Sequence, residues 1–182
     1  LDHAITACRE MENINLIGLH FHIGSQITDL TVFRGLCLRV NEIQSRLKEQ
    51  GIILPHVNFG GGLGINYDCP TCGLIPDFAS YFQTFADFFE ALPGQQLHFE
   101  LGRSLVGQCG SLISRVLYVK EGKHKKFVIL DAGMNDLLRP ALYQAFHRIE
   151  NLTSAGEHEK YDVVGPICES SDCFGKDREL PL

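Results

Sequence analysis

The sequence has no excess of basic residues and no apolar run long enough to cross a membrane. Its 16 Lys and Arg residues are scattered and stand against 22 Asp and Glu residues, giving a formal charge of −6. A nucleic-acid-binding role therefore has little support. A bilayer span needs roughly 20 apolar residues, and the N-terminus lacks the basic and apolar regions of a signal peptide. We expect a cytoplasmic protein without a membrane partner.

The cysteines and histidines form no recognisable framework. Seven cysteines are an odd number without the spacing of a disulfide scaffold, so reduced thiols are expected. One C-x-x-C pair, Cys69 and Cys72, has no second pair at zinc-finger spacing, which favours an ordinary loop over a metal or redox site. The eight histidines match no H-E-x-x-H or similar pattern. No metal site is predicted.

What the sequence does contain is an alternation of short apolar runs and amphipathic segments. A short helix over about Asp2 to Met11 is expected before a strand that ends at His22. Apolar residues at three- and four-residue steps predict a helix from Thr31 to Gly51. Aromatic residues at helical spacing predict another helix capped by Asp77, and this stripe is typical of a core face. Strands are expected at the apolar runs that precede Asn58 and Glu100.

Strands alternating with helices predict an α/β fold, with a parallel sheet covered by helices. Ligands of such sheets, barrels included, gather at the carboxyl ends of the strands. Three consecutive glycines after a strand expose backbone N–H groups that can hold a phosphate, although such a run also serves simply to turn the chain. Three strand ends carry chemically useful residues and are expected to converge: His22 with Ser25, then Gly60, Gly61 and Gly62, then Glu100 with Arg103.

Beyond Arg103 the pattern becomes β-rich. Segment 139–143 is expected to open a short helix, because Pro140 is tolerated at an early helical position. Segment 150–160 is polar and aperiodic and is expected to form an exposed loop. A domain boundary is placed near residues 104–110. Three β-type runs are predicted, at residues 112–119, 127–130 and 163–164.

Six motifs together resemble one enzyme family. They are His22-Ile-Gly-Ser-Gln26, Gly60-Gly-Gly-Leu-Gly64, Glu100-Leu-Gly-Arg103, Asp131-Ala-Gly-Met-Asn-Asp136, Arg139-Pro-Ala-Leu-Tyr143 and Cys168-Glu-Ser-Ser-Asp172. On these residues the chain resembles the diaminopimelate decarboxylase branch of the alanine-racemase-like, fold-type III pyridoxal-phosphate enzymes. The first two motifs are shared with related decarboxylases, whereas the last two point to the diaminopimelate branch. Leu101 stands where the family usually has proline, which removes no chemical group.

The resemblance implies both a fold and a reaction. Residues 1–105 would be the later part of a TIM (β/α) barrel that binds pyridoxal 5'-phosphate, and residues 106–182 the start of a C-terminal β domain, sandwich- or barrel-like. The implied reaction is the decarboxylation of meso-diaminopimelate to L-lysine, a step of lysine biosynthesis. Its small-molecule partner would be this amino acid, and the enzyme would be a homodimer with shared active sites.

The resemblance also implies how the cofactor is held. His22 would stack on the pyridoxal ring and take part in catalysis, and Ser25 would sit near the phosphate. Glu100 would face the pyridine nitrogen, because a carboxylate there favours the protonated ring, which is the better electron sink. A simple Glu–Arg ion pair and a merely hydrogen-bonded histidine are the structural alternatives. The residues implied to hold the phosphate are Gly60, Gly61, Gly62, Gly102 and Arg103.

On the substrate side, the resemblance assigns Arg103 and Arg139 to a substrate carboxylate and Tyr143 to a hydrogen bond. Glu169 would bind the distal ammonium group, and Cys168 would donate a proton to the carbanion after decarboxylation. A diamino dicarboxylic acid needs such arginine forks and an acid in its pocket.

The sequence has no lysine before Lys48, which lies in the last turn of a predicted helix. The family's Schiff-base lysine belongs to an earlier strand, so none of the lysines here can take that role. We therefore expect the middle part of a longer enzyme, inactive by itself. Two alternatives stay open: a related decarboxylase of ornithine, arginine or carboxynorspermidine, and a non-catalytic cofactor-binding fragment.

Overall fold

The computed structural model describes residues 1–70 and 76–181 of the chain. The chain divides into two compact units. Unit 1 comprises Leu1–Ile65 and Leu74–Cys109, and unit 2 comprises Asn66–Gly73 and Gly110–Leu182. Within the described ranges, no helix has the length and apolar character that crossing a bilayer requires.

Unit 1 is built on a three-stranded parallel sheet in the order β1-β2-β3. Its strands are β1 (Gly18–His20), β2 (His56–Asn58) and β3 (Gln96–His98). The helices are α1 (Asp2–Glu10), α2 (Thr31–Glu49), α3 (Phe78–Phe88) and the short α4 (Arg103–Val106). The predicted strand–helix alternation is confirmed for this part of the chain.

Helix α2 ends and helix α3 begins where local chemistry predicts, whereas α3 ends at Phe88, earlier than the Pro93-Gly94 pair expected to stop it. Helix α2 is followed by Gly51 in the left-handed region, with φ of 72°, the conformation that favours glycine after a helix. The side chain of Asp77 caps α3 by accepting a hydrogen bond from Ser80 N at 2.9 Å. Strand β2 starts later than its apolar run suggests, because Ile52 N still donates to Leu47 O at 2.9 Å and so completes the end of α2.

An aromatic core holds the helices against the sheet. The ring centroids of Phe33 and Tyr81 lie 4.9 Å apart, and those of Phe59 and Phe85 lie 4.7 Å apart. The aromatic stripe of α3 is therefore a core face, as predicted. Because Val57 and Phe59 are buried on the helix side, the alternate side chains of this strand point to the other face of the sheet.

Unit 2 is a four-stranded mixed sheet in the order β4-β5-β6-β7. Strands β5 and β6 are parallel, and the two outer pairs are antiparallel. The elements are β4 (Val116–Glu121), β5 (Lys126–Leu130), α5 (Arg139–Tyr143), β6 (His158–Val164) and β7 (Cys173–Pro181). Its core consists of Val128, Ala132, Tyr161, Val163, Phe174 and Leu180.

One expectation for this unit is wrong, and one strand of the unit was not predicted. The segment 150–160 is not a loop throughout, because His158–Lys160 pair with β7 and begin β6. Strand β7 itself was not predicted, since the charged run 176–179 hides the two buried side chains, Phe174 and Leu180, that fix it to the core.

The cysteines also differ from expectation. Cys69 is disulfide-bonded, so the thiols are not all reduced. Cys72, the other cysteine of the C-x-x-C pair, lies outside the described residues. The free cysteines are Cys8, Cys37, Cys109, Cys168 and Cys173.

Candidate functional site

The carboxyl ends of the three strands of unit 1 lie side by side. Past β1, Phe21 N donates to Asn58 O at 2.8 Å, and past β3, Glu100 N donates to Gly60 O at 2.7 Å. These bonds continue the parallel ladder beyond the strands themselves. They bring His22, the glycine run and Glu100 to one edge of the sheet, while Ser25 and Gly102 lie exposed in the adjoining loops.

The glycine run is packed closely between its two neighbours. A Cβ atom on Gly60 would lie 2.2 Å from Phe21 O, and one on Gly61 would lie 2.2 Å from Glu100 O. A Cβ atom on Gly62 would lie 2.6 Å from a third carbonyl oxygen, that of Gly24. Gly60 and Gly62 also have positive φ angles of 66° and 111°. Neighbouring backbone therefore requires glycine at all three positions, whether or not a ligand binds.

The same run keeps two backbone donors available. Gly60 N donates to Asn58 Oδ1 at 2.8 Å, which closes a tight turn after β2. In contrast, the N–H groups of Gly61 and Gly62 make no hydrogen bond within residues 1–70 and 76–181. Adjacent unengaged N–H groups can bind an oxyanion, so the run is suited to a phosphate as well as to a turn.

The carboxylate of Glu100 is held by two side chains from neighbouring strands. Asn58 Nδ2 donates to Glu100 Oε1 at 2.7 Å, and His20 Nε2 lies 3.4 Å from Oε2. The alternative of a Glu100–Arg103 ion pair is not seen, because Arg103 Nη1 donates instead to Gln26 Oε1 at 3.2 Å. The half-exposed carboxylate is thus positioned by Asn58 and His20 rather than by a neighbouring arginine.

Gln26 organises the opposite side of this edge. Its side-chain Nε2 donates to Ile65 O at 2.6 Å, and Ile65 N donates to Gln26 Oε1 at 3.2 Å. Gln26 adopts the left-handed conformation with φ of 61°, which turns its amide toward the chain after the glycine run. One glutamine therefore connects the loop after β1, the segment after β2 and Arg103.

Sequence reasoning missed several polar residues of this sheet face. The rings of His56 and His98 are joined through Nδ1 and Nε2 at 2.9 Å, and His20 and Asn58 hold Glu100 as described. The available signal is the alternation of polar and apolar residues in each short strand, which assigns the polar ones to one face. Partners across strands depend on register, which local pattern does not provide.

In unit 2, Asp172 ties together two of the motif segments. This carboxylate is 3% exposed; Oδ1 accepts from Met134 N at 2.6 Å and Oδ2 from Ile167 N at 2.8 Å. The loop that it closes carries Cys168 and Glu169, both of which are exposed. A buried carboxylate that accepts backbone N–H bonds fixes a loop firmly, because loss of either bond leaves a buried group unpaired.

Arg139 lies at the start of α5 and contacts two aromatic rings. Its guanidinium carbon is 5.6 Å from the ring centroid of Tyr143 and 5.9 Å from that of Tyr67. It forms no salt bridge with a carboxylate in the described part of the chain. A cation placed between rings and without an acid partner is suited to bind a carboxylate ligand.

Comparison with known proteins identifies the family. A profile described as pyridoxal-dependent decarboxylase, C-terminal sheet domain, matches residues 12–182. The chain belongs to the pyridoxal-dependent decarboxylases. The six motifs from which the resemblance was inferred begin at His22 and end at Asp172, so all of them lie within the matched range.

Curated relatives of this decarboxylase family are similar over almost the whole chain. Diaminopimelate decarboxylase of Bacteroides thetaiotaomicron is 61% identical over 180 residues, which cover 99% of this chain and 47% of the relative. The enzyme of the same name from Methanocaldococcus jannaschii is 42% identical over 181 residues, covering 97% and 41%. The chain thus spans less than half the length of these relatives.

Solved structures of diaminopimelate decarboxylases are similar to this chain over almost its whole length. The diaminopimelate decarboxylase of Methanocaldococcus jannaschii in complex with L-lysine matches with a TM-score of 0.83 and 41% identity, covering 100% of this chain and 42% of that one. The Helicobacter pylori enzyme complexed with L-lysine matches with a TM-score of 0.85 and 39% identity, covering 99% and 44%.

Proposed function

We propose that this chain is part of a diaminopimelate decarboxylase, which uses pyridoxal 5'-phosphate to convert meso-diaminopimelate into L-lysine. The main support is the 61% identity over 180 residues to the Bacteroides thetaiotaomicron enzyme. In this proposal, residues 1–105 form the later part of the cofactor-binding β/α barrel. Residues 106–182 form part of the C-terminal β domain.

The strand ends of unit 1 fit this cofactor chemically. The N–H groups of Gly61 and Gly62, which make no hydrogen bond within the described residues, are donors for its phosphate, together with Gly102 and Arg103. Gly60, whose N–H donates to Asn58 Oδ1, contributes by shaping the turn that presents these donors. Ser25 lies in the exposed loop after β1, from which its hydroxyl adds a donor for the phosphate, and His22 covers the ring face.

Glu100 has the clearest chemical task in this proposal. Its carboxylate, held by Asn58 and His20, keeps a proton on the pyridine nitrogen, since an adjacent negative charge favours the protonated ring. When bound, the cofactor supplies the electron sink that decarboxylation needs. The protein's contribution is to hold the carboxylate in place through Asn58 and His20.

We assign the substrate contacts to charged and polar side chains. Arg103 and Arg139 bind a carboxylate, Tyr143 donates a hydrogen bond, and Glu169 binds the distal ammonium group. The Cys168 thiol, exposed on its loop, donates a proton to the carbon that loses carbon dioxide. We further propose a homodimer in which the C-terminal domain of one subunit completes the site of the other, which two-fold symmetry makes reciprocal.

A segment exchange tests the proposed activity. The matching segment of the Bacteroides thetaiotaomicron enzyme is replaced by this chain, giving a protein that we refer to as the chimera. We expect carbon dioxide release from meso-diaminopimelate within about tenfold of the parent rate, a loss of at most about 1.4 kcal/mol in the barrier. Glu100→Gln in the chimera should retain the cofactor but lower kcat, because a neutral amide no longer favours the ring proton.

The alternatives give different results in the same assay. A folded chimera that loads the cofactor but acts on ornithine or arginine in preference to meso-diaminopimelate would favour a related decarboxylase. A folded chimera without decarboxylase activity on any of these substrates would contradict the proposal. The 182-residue chain alone is the negative control, since it lacks the Schiff-base lysine.

Subunit mixing tests the shared site. A chimera inactive through Cys168→Ala is exchanged with one inactive through loss of the Schiff-base lysine that the parent supplies. Random pairing makes half of the dimers mixed, and each mixed dimer has one intact site, so about a quarter of full activity should return. Absence of recovery after verified subunit exchange would place Cys168 in the site of its own subunit or outside any site.

A further inference from the structure

A cavity of about 470 Å³ in unit 2 lies beside the loop of Asp172 and has no part in the proposed reaction. One wall is the end of α5 and the residues after it, and the other is the start of β7. The residues that give the cavity its chemistry are Gln144, Phe146, Ser170, Ser171, Lys176 and Arg178.

The charge of this cavity is opposite to that of the chain. The protein has a formal charge of −6, yet the described residues lining the cavity include two cations, Lys176 and Arg178, and no carboxylate. Two serine hydroxyls and one side-chain amide add further hydrogen-bond donors. A concave surface with this set of groups attracts an anion.

Arg178 is held in a fixed position on the cavity wall. Its guanidinium carbon lies 3.9 Å from the ring centroid of Phe146, a cation–π stack. Gly175 makes room for it, because a Cβ atom there would lie 2.2 Å from Arg178 Nε. The side chain therefore presents its planar fork in one orientation.

This guanidinium lacks the partners that a buried cation normally has. Arg178 Nε is buried without a hydrogen-bond acceptor, and the side chain makes no salt bridge in the part of the chain that the structure describes. Burial lowers the pKa of Arg178, and the electrostatic effects of Cys173 and Asp68 oppose this only in part. A partly desolvated guanidinium whose Nε lacks an acceptor is unfavourable, so an anion that reaches it is bound favourably.

We propose that this cavity is a binding site for a small oxyanion, a phosphate or a carboxylate, with the guanidinium of Arg178 as its principal partner. Arginine binds such groups through two parallel N–H bonds, and Ser170 and Lys176 supply additional donors. The volume also accommodates a small molecule that carries the oxyanion. None of the described residues assigned to substrate and cofactor lines this cavity, although it borders the two segments that carry Arg139 and Glu169.

Titration of the folded chimera tests this site without any enzyme assay. Inorganic phosphate is added at constant ionic strength to the ¹⁵N-labelled protein, and the Nε–Hε resonance of Arg178 is followed. We expect a saturable shift of this resonance, whereas the exposed Arg115 should respond no more than to chloride. Arg178→Gln should weaken phosphate binding at least tenfold, and the matched control Arg115→Gln should leave it unchanged.

Two further probes distinguish the source of the oxyanion. A response to phosphate but not to meso-diaminopimelate supports a site for a free inorganic anion or a phosphate ester. A response to meso-diaminopimelate that L-lysine does not produce supports a ligand recognised through its second carboxylate, the group that L-lysine lacks, and a response to both supports recognition of the carboxylate that they share. If the Arg178 resonance is unmoved by both anions, or if binding is equal in Arg178→Gln, the proposal is wrong.

The test remains decisive if Arg178→Gln does not fold. The shift of the Arg178 resonance in the wild-type protein then provides the test. Two variants of exposed residues, Lys176→Gln and Ser170→Ala, provide a second test. Each should weaken phosphate binding measurably. No weakening in either variant, together with an unmoved Arg178 resonance, overturns the proposal.

Discussion

The side-chain amide of Asn58 donates a 2.7 Å hydrogen bond to the carboxylate of Glu100, across the boundary between two parallel strands. His20, the last residue of β1, lies 3.4 Å from the other carboxylate oxygen. An acid at the end of one strand is thus oriented by residues at the ends of two others. Its position depends on the register of the whole sheet.

Removing this support should reduce catalysis without removing the acid. We expect Asn58→Ala in the chimera to lower kcat about tenfold, or about 1.4 kcal/mol in the barrier, because the carboxylate loses its directional donor. KM should change little, since Asn58 touches no proposed substrate group. The matched control is Gln96→Ala, an exposed residue of β3, and equal kcat in the two variants would contradict the positioning role.

The glycine run offers a stability prediction. Gly61→Ala places a Cβ atom 2.2 Å from the carbonyl of Glu100, which should lower the free energy of unfolding by about 3 kcal/mol or more. Gly35→Ala is the control, because nothing lies within 4 Å of its Cβ position in helix α2. It should stabilise the protein by about 0.5–1 kcal/mol, the ordinary gain of alanine over glycine in a helix. Urea unfolding of both variants measures the difference.

The role of Asp172 can be tested by measuring the hydrogen-exchange rates of individual backbone amides. In Asp172→Ala the amides of Met134 and Ile167 lose their acceptor, so each should exchange at least about tenfold faster. Loss of both hydrogen bonds to this buried carboxylate should destabilise unit 2 by about 1–3 kcal/mol. Glu157→Ala, at an exposed position of the same unit, is the control. Unchanged exchange at both amides would mean that Asp172 does not hold this loop.

Tyr81 provides a pH prediction. Burial, with a smaller effect of the Cys37 charge, raises the pKa of Tyr81 from 10.0 to about 12. Between these two values the unfolded chain has lost the phenol proton and the folded chain keeps it, so stability should fall as pH rises through this range. Tyr81→Phe should remove this contribution to the loss of stability at alkaline pH.

The same variant should be stable at neutral pH. The Tyr81 hydroxyl is buried without a hydrogen-bond partner among the described residues, so its removal should be neutral or stabilising by up to about 1 kcal/mol. The exposed Tyr118→Phe serves as the control. Denaturant unfolding at pH 7 and pH 11 provides the measurement, and a clear loss of stability at pH 7 would show that the hydroxyl has a partner.

Features that depend on local chemistry could be predicted from the sequence. Helix α2 follows from apolar spacing and its terminal glycine, and α3 from Asp77 and its aromatic stripe. Strand β7 could not be predicted, because its charged residues obscure the two buried ones and its pairing with β6 joins distant segments. For the same reason the sequence pointed to Glu100 as a candidate but did not identify Asn58 and His20 as the residues that hold it. Contacts between strands are set by register, which no single segment encodes.

The glycine run that lies between two neighbouring strands also limits how this sheet edge can be engineered. Each of Gly60, Gly61 and Gly62 abuts a backbone carbonyl, so none can accept a side chain while the flanking strands stay where they are. An attempt to change ligand preference here must therefore act through exposed neighbours such as Ser25. Main-chain atoms form the invariant part of this edge, and the exchangeable part is confined to the loops around it.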